Sequence, residues 1–336
     1  MPRIAINGFG RIGRNTFKAG FGNSGFEVVA VNDLTDAKTL AHLLRHDSTY
    51  HRWMKNVSHD AKNLIVEGKK IPVLAEKDPT KLPWKAMKVD VVLECTGRFT
   101  SEEGAGQHLT AGAKRVIISA PAKGGNVPTY VIGVNEKDAG KTAKIINNAS
   151  CTTNCIAPVA AIMQKEFGVK KAMMTTIHSY TADQVLQDGP HKDLRRARTA
   201  AQNIIPTTTG AAIATTETLP ELKGIFDGIS IRVPTSCVSL ADFTFLLKKK
   251  TTKEEVNAVL KKAAKHPMYK GIVEVTEEEL VSSDFVGHPA SAIVDLPFTQ
   301  VVGGDMVKVL AWYDNEWGYS CRLADMAVRV GKAAKA

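Results

Sequence analysis

Cysteine is scarce in this chain: Cys95, Cys151, Cys155, Cys237 and Cys321 are the only five among 336 residues. An odd, thinly spread set excludes a secreted disulfide framework, so any cysteine of note is expected to act as a thiol. Long apolar runs are also missing. No stretch reaches the length that spans a bilayer, and the opening "MPRIAINGFGRIGRN" has a strand pattern in place of a charged segment and apolar signal core. A cytoplasmic location without membrane attachment is expected. Aromatic residues form only 6% of the chain and do not interleave with basic ones, so base stacking has little to work with and nucleic-acid binding is not indicated. The formal charge of +10 favours anionic partners in general. Metal-ligand spacing is nearly absent: His42 and His46 lie four apart in "LAHLLRHDSTYH" but lack the glutamate of a HExxH helix. A solvated helix face is the better reading there, and no metal site is expected. Internal repeats and low-complexity linkers are lacking as well.

The length favours two domains. In the first half, the β-branched runs "RIAING", "EVVAVND", "VDVVLECTG", "RVIISAP" and "AKIINNAS" alternate with helix-like stretches. This order implies a mostly parallel sheet covered by helices. Near residue 150 the character changes. After a helix-like "TTNCIAPVAAIMQKEF" come the strand patterns "KAMMTTIHSY", "ISIRVPT", "VSLADFTFLLKK", "ASAIVDLPFT" and "MVKVLAWYD", which predict an α+β domain with a mainly antiparallel sheet. "LLKKKTTKEEVNAVLKKAAKH" reads as a solvated amphipathic helix. The polar stretch "TADQVLQDGPHKDLRRARTAAQNIIPTTTGAA" reads as an ordered loop followed by a helix. In the tail, Tyr319, Leu323, Met326, Ala327 and Val330 form one apolar stripe at helical spacing, which is expected to dock back on the first domain. The expected domains are 1–150 joined by 315–336, and 151–314.

"INGFGRIGRN" contains Gly8-x-Gly10-x-x-Gly13, with a strand pattern before it, a helix pattern after it, and Asp33 closing the next strand twenty residues past Gly13. That context turns a weak glycine motif into a dinucleotide fingerprint. Gly8 permits the tight turn, Gly10 leaves room for a pyrophosphate, and Gly13 lets helix and strand pack closely. The backbone N–H groups around Arg11 and Ile12 then face the anion. Asp33 can accept from both ribose hydroxyls and would repel a 2′-phosphate, which favours NAD over NADP. The fold class is therefore α/β: a Rossmann-type NAD-binding domain plus an α+β catalytic domain.

"NNASCTTNCIAPV" supplies the thiols. A nucleophilic cysteine must ionise near neutral pH, which a helix N-terminus, a cation or a histidine achieves. Cys151 begins a helix-like run behind Ser150, a plausible N-cap, while Cys155 lies one turn along on an inward face. Pro158 cannot donate to the carbonyl of Asn154, so a kink or irregular turn is expected there. The base must be spatially adjacent, and His178 stands at the end of a strand entering the long loop. Arg232 in "RVPT", and Arg195, Arg196 and Arg198 in "DLRRARTAAQ", with hydroxyls in "TTTG" and Thr181, suit phosphate oxyanions.

With these residues assembled, the chain resembles the glyceraldehyde-3-phosphate dehydrogenase family over essentially its whole length, through "INGFGRIGRN", "KRVIISAP", "NASCTTNC", "NIIPTTTGAA", "IRVPT" and "WYDNEWGYS". The resemblance implies Cys151 as nucleophile and His178 as its base. It implies a cofactor site using Arg11, Ile12 and Asp33, with Lys77 near the adenine side, Ser119, and Asn315 near the nicotinamide amide. It implies substrate and phosphate sites comprising Ser150, Thr152, Thr181, Arg195, Thr209, Gly210 and Arg232. Glyceraldehyde 3-phosphate and inorganic phosphate are the implied substrates, with an erythrose-4-phosphate dehydrogenase as the nearest alternative. Gly189-Pro190 matches the family's NAD-preferring loop. A homotetramer is implied, with the 180–200 loop across a subunit interface. "RVPTSCVSLADFT", Cys321 in "GYSCRLAD" and "HDSTYHRWMKN" depart from the family pattern without removing any of these groups.

Overall fold

The computed structural model describes residues 1–22 and 25–335, and the chain divides into two compact units. The first comprises Met1–Tyr130, Glu136–Ala149 and Ser320–Ala336, and the second Val131–Asn135 and Ser150–Tyr319. The C-terminal segment sorts with the first unit from Ser320 onward, although its helix, Trp317–Ala333, begins three residues earlier.

In the first unit all five strand candidates are strands. The sheet runs Ile145–Asn147, Arg115–Ile118, Val91–Glu94, Arg3–Asn7, Glu27–Asn32, Lys69–Leu74, Asn63–Val66 and Val57–His59. The first six pair in parallel and the last two add antiparallel. Ile4, Ala5, Ile6, Val91, Val92, Leu93 and Val116 are wholly buried, as parallel strands covered on both faces must be. The chain leaves Arg3–Asn7 toward one neighbour and later returns to the other, so the strand order reverses beside Arg3–Asn7, and the crevice opens at the carboxyl ends of these strands. Leu323, Met326, Ala327 and Val330 are buried, and a Cβ on Gly331 would meet Pro2 at 2.4 Å, so the tail helix packs against this unit's own N-terminus.

The second unit's sheet runs Ile205–Thr207, Phe226–Val233, Val169–Ser179, Ser239–Leu247, Met306–Tyr313, Ala292–Asp295 and Val273–Thr276, with Gln300–Val302 paired to Met306–Tyr313. Val169–Ser179 with Phe226–Val233, and Val273–Thr276 with Ala292–Asp295, are parallel; the other pairings are antiparallel. Ser239–Leu247 alternates buried and half-buried positions along its length, the period-2 signature its sequence carries. The helix Cys151–Phe167 lays Cys155, Ile156, Val159 and Met163 into the core that also holds Phe243, Phe245, Val307 and Val309.

Two expectations need correction. The helix Cys151–Phe167 runs through Pro158 without an irregular turn, since a proline removes only one ladder bond and twelve of the seventeen residues are held by burial. His42 and His46 do not share a helix: His42 lies in Ala37–Arg45, while His46 begins a two-residue strand. Both are exposed, and among the described residues no cluster of three ligating side chains could hold a metal. The lysine-rich segment is a helix, Lys253–Lys265, burying Val256 and Leu260 behind a Thr252–Glu255 capping box. The long polar stretch is irregular until the short strand Ile205–Thr207 and the helix Ala211–Thr218.

Candidate active site

At the carboxyl ends of the first unit's strands lies a cleft of about 350 Å³ lined by Asn7, Gly8, Gly10, Asn32, Asp33 and Lys77 among others. Its glycines meet three different demands. Gly8 has φ +89° and a Cβ there would strike the Thr96 backbone N at 2.7 Å; a Cβ on Gly13 would lie 2.2 Å from the Gly8 carbonyl oxygen; nothing stands within 4 Å of a Cβ on Gly10. The helix Arg11–Gly20 is capped by Gly10, which brings no side chain to the first turn, and that turn has no acidic residue. Its N–H groups and dipole suit an anion. Ile12 contributes to this turn by its backbone. The Arg11 side chain is committed elsewhere, in a two-pronged pair with Asp47 at 3.1 and 3.3 Å.

Asp33 also shapes the turn. Its Oδ2 accepts from the Phe9 N–H at 2.7 Å and its Oδ1 from the Thr35 N–H at 3.0 Å, leaving one lone pair per oxygen for a further donor. Lys77 is exposed on the cleft rim. Ser119 stands past the strand Arg115–Ile118; its N–H donates to the Glu94 carbonyl at 3.0 Å and its hydroxyl reaches Cys95, a lining residue.

In the second unit, Ser150 caps the helix Cys151–Phe167 by accepting from the Thr153 N–H at 3.0 Å. Cys151 Sγ, at the first helical position, lies 3.5 Å from His178 Nε2. His178 Nδ1 is 2.7 Å from the Ser179 carbonyl. A carbonyl can only accept, so Nδ1 carries the proton and Nε2 presents its lone pair to the thiol. Burial pushes the Cys151 thiol up, opposed by Arg232 and Thr152, and burial followed by repulsion from Arg232 brings His178 down to about 3. Burial works against charge on both partners, while the Arg232 guanidinium favours the thiolate. Cys155 is wholly buried, and burial pushes it well above the usual thiol value. Thr152 turns its hydroxyl inward to Tyr313 Oη at 2.9 Å, and Tyr313 is held in turn by Thr176 at 2.8 Å.

Arg232 Nη1 donates to Thr181 Oγ1 at 2.7 Å and to the Ser179 carbonyl at 3.2 Å, while its buried Nε has no partner among the described residues. Thr181 in turn donates to Asp183. Arg196 completes the group, reaching Asp183 at 2.6 Å, Thr207 Oγ1 at 3.0 Å and the Thr208 carbonyl at 3.1 Å. Burial alone would raise the Asp183 carboxyl, but the Thr181 hydroxyl and the Arg232 and Arg196 guanidinium groups hold it below the usual range. Thr209 accepts from the Ala211 N–H at 3.2 Å, and Gly210 caps the helix Ala211–Thr218. Arg195 stays outside this group: its side chain is exposed and its backbone N–H is bound by Asp193 at 2.9 Å. Sequence reasoning missed Asp183 as a member and named Arg195 for the phosphate, because an irregular loop has no period that separates adjacent arginines. Asn315 is buried, its Oδ1 accepting from Ser179 at 2.9 Å and Ser239 at 3.0 Å, which aims its amide N–H₂ elsewhere.

The class these features define is an NAD-dependent dehydrogenase. Residues 2–102 match the family model described as glyceraldehyde 3-phosphate dehydrogenase, NAD binding domain, and residues 150–315 that of its C-terminal domain. The chain is 55% identical over 329 residues to glyceraldehyde-3-phosphate dehydrogenase of Geobacillus stearothermophilus, covering 98% of each chain. It is 54% identical to glyceraldehyde-3-phosphate dehydrogenase 1 of Bacillus subtilis (strain 168), again over 98% of each. With the chloroplastic A form of Chlamydomonas reinhardtii it shares 51% over 97% of this chain and 87% of the relative. The chain belongs to the glyceraldehyde-3-phosphate dehydrogenase family. The cleft fits NAD on its own geometry: Gly10 leaves the space a pyrophosphate needs, the helix start is uncapped by side chains, and Asp33 disfavours a 2′-phosphate.

Proposed function

We propose that this chain oxidises D-glyceraldehyde 3-phosphate with NAD and inorganic phosphate to an acyl phosphate, through a thiohemiacetal and thioester on Cys151. The observation that carries this reading is the Cys151–His178 contact at 3.5 Å, with the Ser179 carbonyl fixing the tautomer that accepts the thiol proton.

As Sγ attacks the aldehyde carbon, Nε2 takes the thiol proton. The imidazolium and the Cys151 backbone N–H then stabilise the developing oxyanion, giving the thiohemiacetal. NAD, when bound, supplies the two-electron acceptor that takes hydride from that carbon. His178 removes the hydroxyl proton in the same step, leaving the thioester. Phosphate attacks the thioester carbon, the C–S bond breaks, and the acyl phosphate departs while Sγ regains its proton. Thr181, Arg196, Arg232, Thr209 and Gly210 hold phosphate oxyanions, with Ser150 and Thr152 acting through the helix start behind the thiol. Lys77 lies toward the adenine side, Ser119 supports Cys95 of the cleft wall, and Asn315 donates to the nicotinamide amide. A thiol is needed because a thioester retains the oxidation energy that an oxygen ester would hold less of.

NADH formation from glyceraldehyde 3-phosphate should require added phosphate and stop after alkylation of one thiol per chain, with peptide mapping placing the label on Cys151 and not on Cys155. Turnover that survives full labelling of Cys151 would sink the covalent mechanism.

We further assign the protein to the cytoplasm, supported by five free thiols, and to a homotetramer. Met173 and Ile229, 67% and 50% exposed on neighbouring strands of the second unit, are apolar surface that a second copy would cover. Sedimentation of a monomer at micromolar concentration would refute the assembly.

A further inference from the structure

Beneath the floor of the first unit's cleft runs a chain of buried polar side chains that the chemistry above does not use. Asn7, Asn32 and Glu94 end three adjacent parallel strands, with Asn7 in register with both others. Each is at most 5% exposed, and Glu94 only 1%. A carboxylate in such a place is tolerated only if its lone pairs are filled. They are: Oε2 accepts from Asn7 Nδ2 at 2.6 Å and faces His108 Nε2 at 3.0 Å, while Oε1 accepts from the Thr96 N–H at 2.8 Å and from the Thr96 hydroxyl.

The direction of every bond in this chain can be settled. Trp84 Nε1 lies 3.1 Å from His108 Nδ1, and an indole N–H can only donate. Nδ1 therefore accepts, and the ring proton sits on Nε2, pointing at Glu94. The 3.4 Å approach of Asn7 Nδ2 to His108 Nε2 is then two donors converging on one oxygen. At the other end, the Glu76 N–H donates to Asn32 Oδ1 at 3.0 Å and the Glu76 carbonyl accepts from Asn32 Nδ2 at 2.9 Å, which fixes the amide. Asn32 Nδ2 donates to Asn7 Oδ1 at 2.7 Å, so Asn7 Nδ2 is left to donate to Glu94.

Asn7, Asn32, Glu76 and Thr96 line the cleft, and the Thr96 backbone N is the atom that a Cβ on Gly8 would strike. The wall that faces the glycine turn is thus built on Glu94. Trp84 and His108, both wholly buried, do not line the cleft but set the polarity of everything that does. We propose that Trp84 and His108 are positioning residues for the cofactor, orienting Glu94 and through it Asn7, Thr96 and the glycine turn into the shape that receives NAD. This rests on the reading of the cleft as the NAD site.

The test is NAD titration by calorimetry on the full chain. Binding by the unaltered protein tests the cleft reading itself. Glu94→Gln places an amide N–H₂ against donors at either oxygen, and should raise the dissociation constant at least ~10-fold, the order expected when a buried donor loses its acceptor. Trp84→Phe, which deletes one donor, and Thr96→Val, which deletes one donor and the acceptor of the Arg98 N–H at 3.0 Å, should each raise it about threefold. With Trp84 gone the imidazole can move its proton to Nδ1 and accept from the introduced amide. The double change Glu94→Gln with Trp84→Phe should therefore lose less than the product of the single losses, a coupling that general destabilisation would not give. Alkylation of Cys151 reports that the second unit is intact in each variant. Nitrogen-15 shifts of His108 should show Nε2 protonated. Unchanged NAD affinity in folded Glu94→Gln overturns the proposal. If that variant does not fold, unchanged affinity in both Trp84→Phe and Thr96→Val does so, and so does an Nδ1-protonated ring.

Discussion

Arg195 and Arg196 are adjacent, chemically identical, and placed in opposite situations: one guanidinium is exposed, the other is tied to Asp183, Thr207 and Thr208. A planar fork that is already oriented loses little freedom when phosphate arrives, which is why position decides the worth of an arginine. Arg196→Ala should raise the KM for inorganic phosphate by about tenfold or more, the loss expected from one charge-assisted contact, while Arg195→Ala changes it less than about threefold. Steady-state kinetics with phosphate varied would decide; equal effects would return Arg195 to the site. The same logic separates Cys151 from Cys155, which differ less in chemistry than in place, one at a helix mouth facing an imidazole and the other sealed in the core.

A turn and the helix after it form the unit in which the glycines act. Gly13 sits in the first turn of Arg11–Gly20, and a side chain there would collide with the Gly8 carbonyl, a backbone atom that cannot swing aside. Gly13→Ala should therefore push helix and turn apart and weaken NAD binding at least ~10-fold, with Cys151 alkylation unchanged. Retained affinity would mean that the turn yields without cost. The helix Cys151–Phe167 shows the complementary case. Its capping serine and the burial of its middle turns hold it together through Pro158, so packing overrides a local breaker.

For the whole molecule, the buried His178 links function to acid stability. Its folded value near 3 lies below its ordinary 6.5. The unfolded chain therefore binds the extra proton first. Stability is fully present above about pH 6.5 and falls as pH drops toward 3, at about 1.4 kcal/mol per pH unit for one proton. Urea midpoints between pH 7 and pH 4 should fall less steeply for His178→Asn than for the unaltered protein. The same substitution should lower kcat by roughly 10²–10⁴ by removing the base. Parallel pH dependences in the two proteins would show that other groups control acid unfolding.

What the sequence by itself determined was whatever depends on local order. The alternation of strands and helices, the glycine spacing with Asp33, and Ser150 before Cys151 are neighbour relations, and the chain writes them directly. The strands within 57–74 escaped because runs of three to six residues are too short for an apolar period to show. Only the tertiary structure decided which residues meet across distance. It left Arg195 exposed and tied Arg196 to Asp183, turned Thr152 inward to Tyr313, and set burial against a nearby cation at the Cys151 thiol. It also assembled Trp84, His108, Glu94, Asn7 and Asn32 beneath one cleft. Hydrogen bonds and burial depend on position in space, and no spacing along the chain encodes the identity of a partner a hundred residues away.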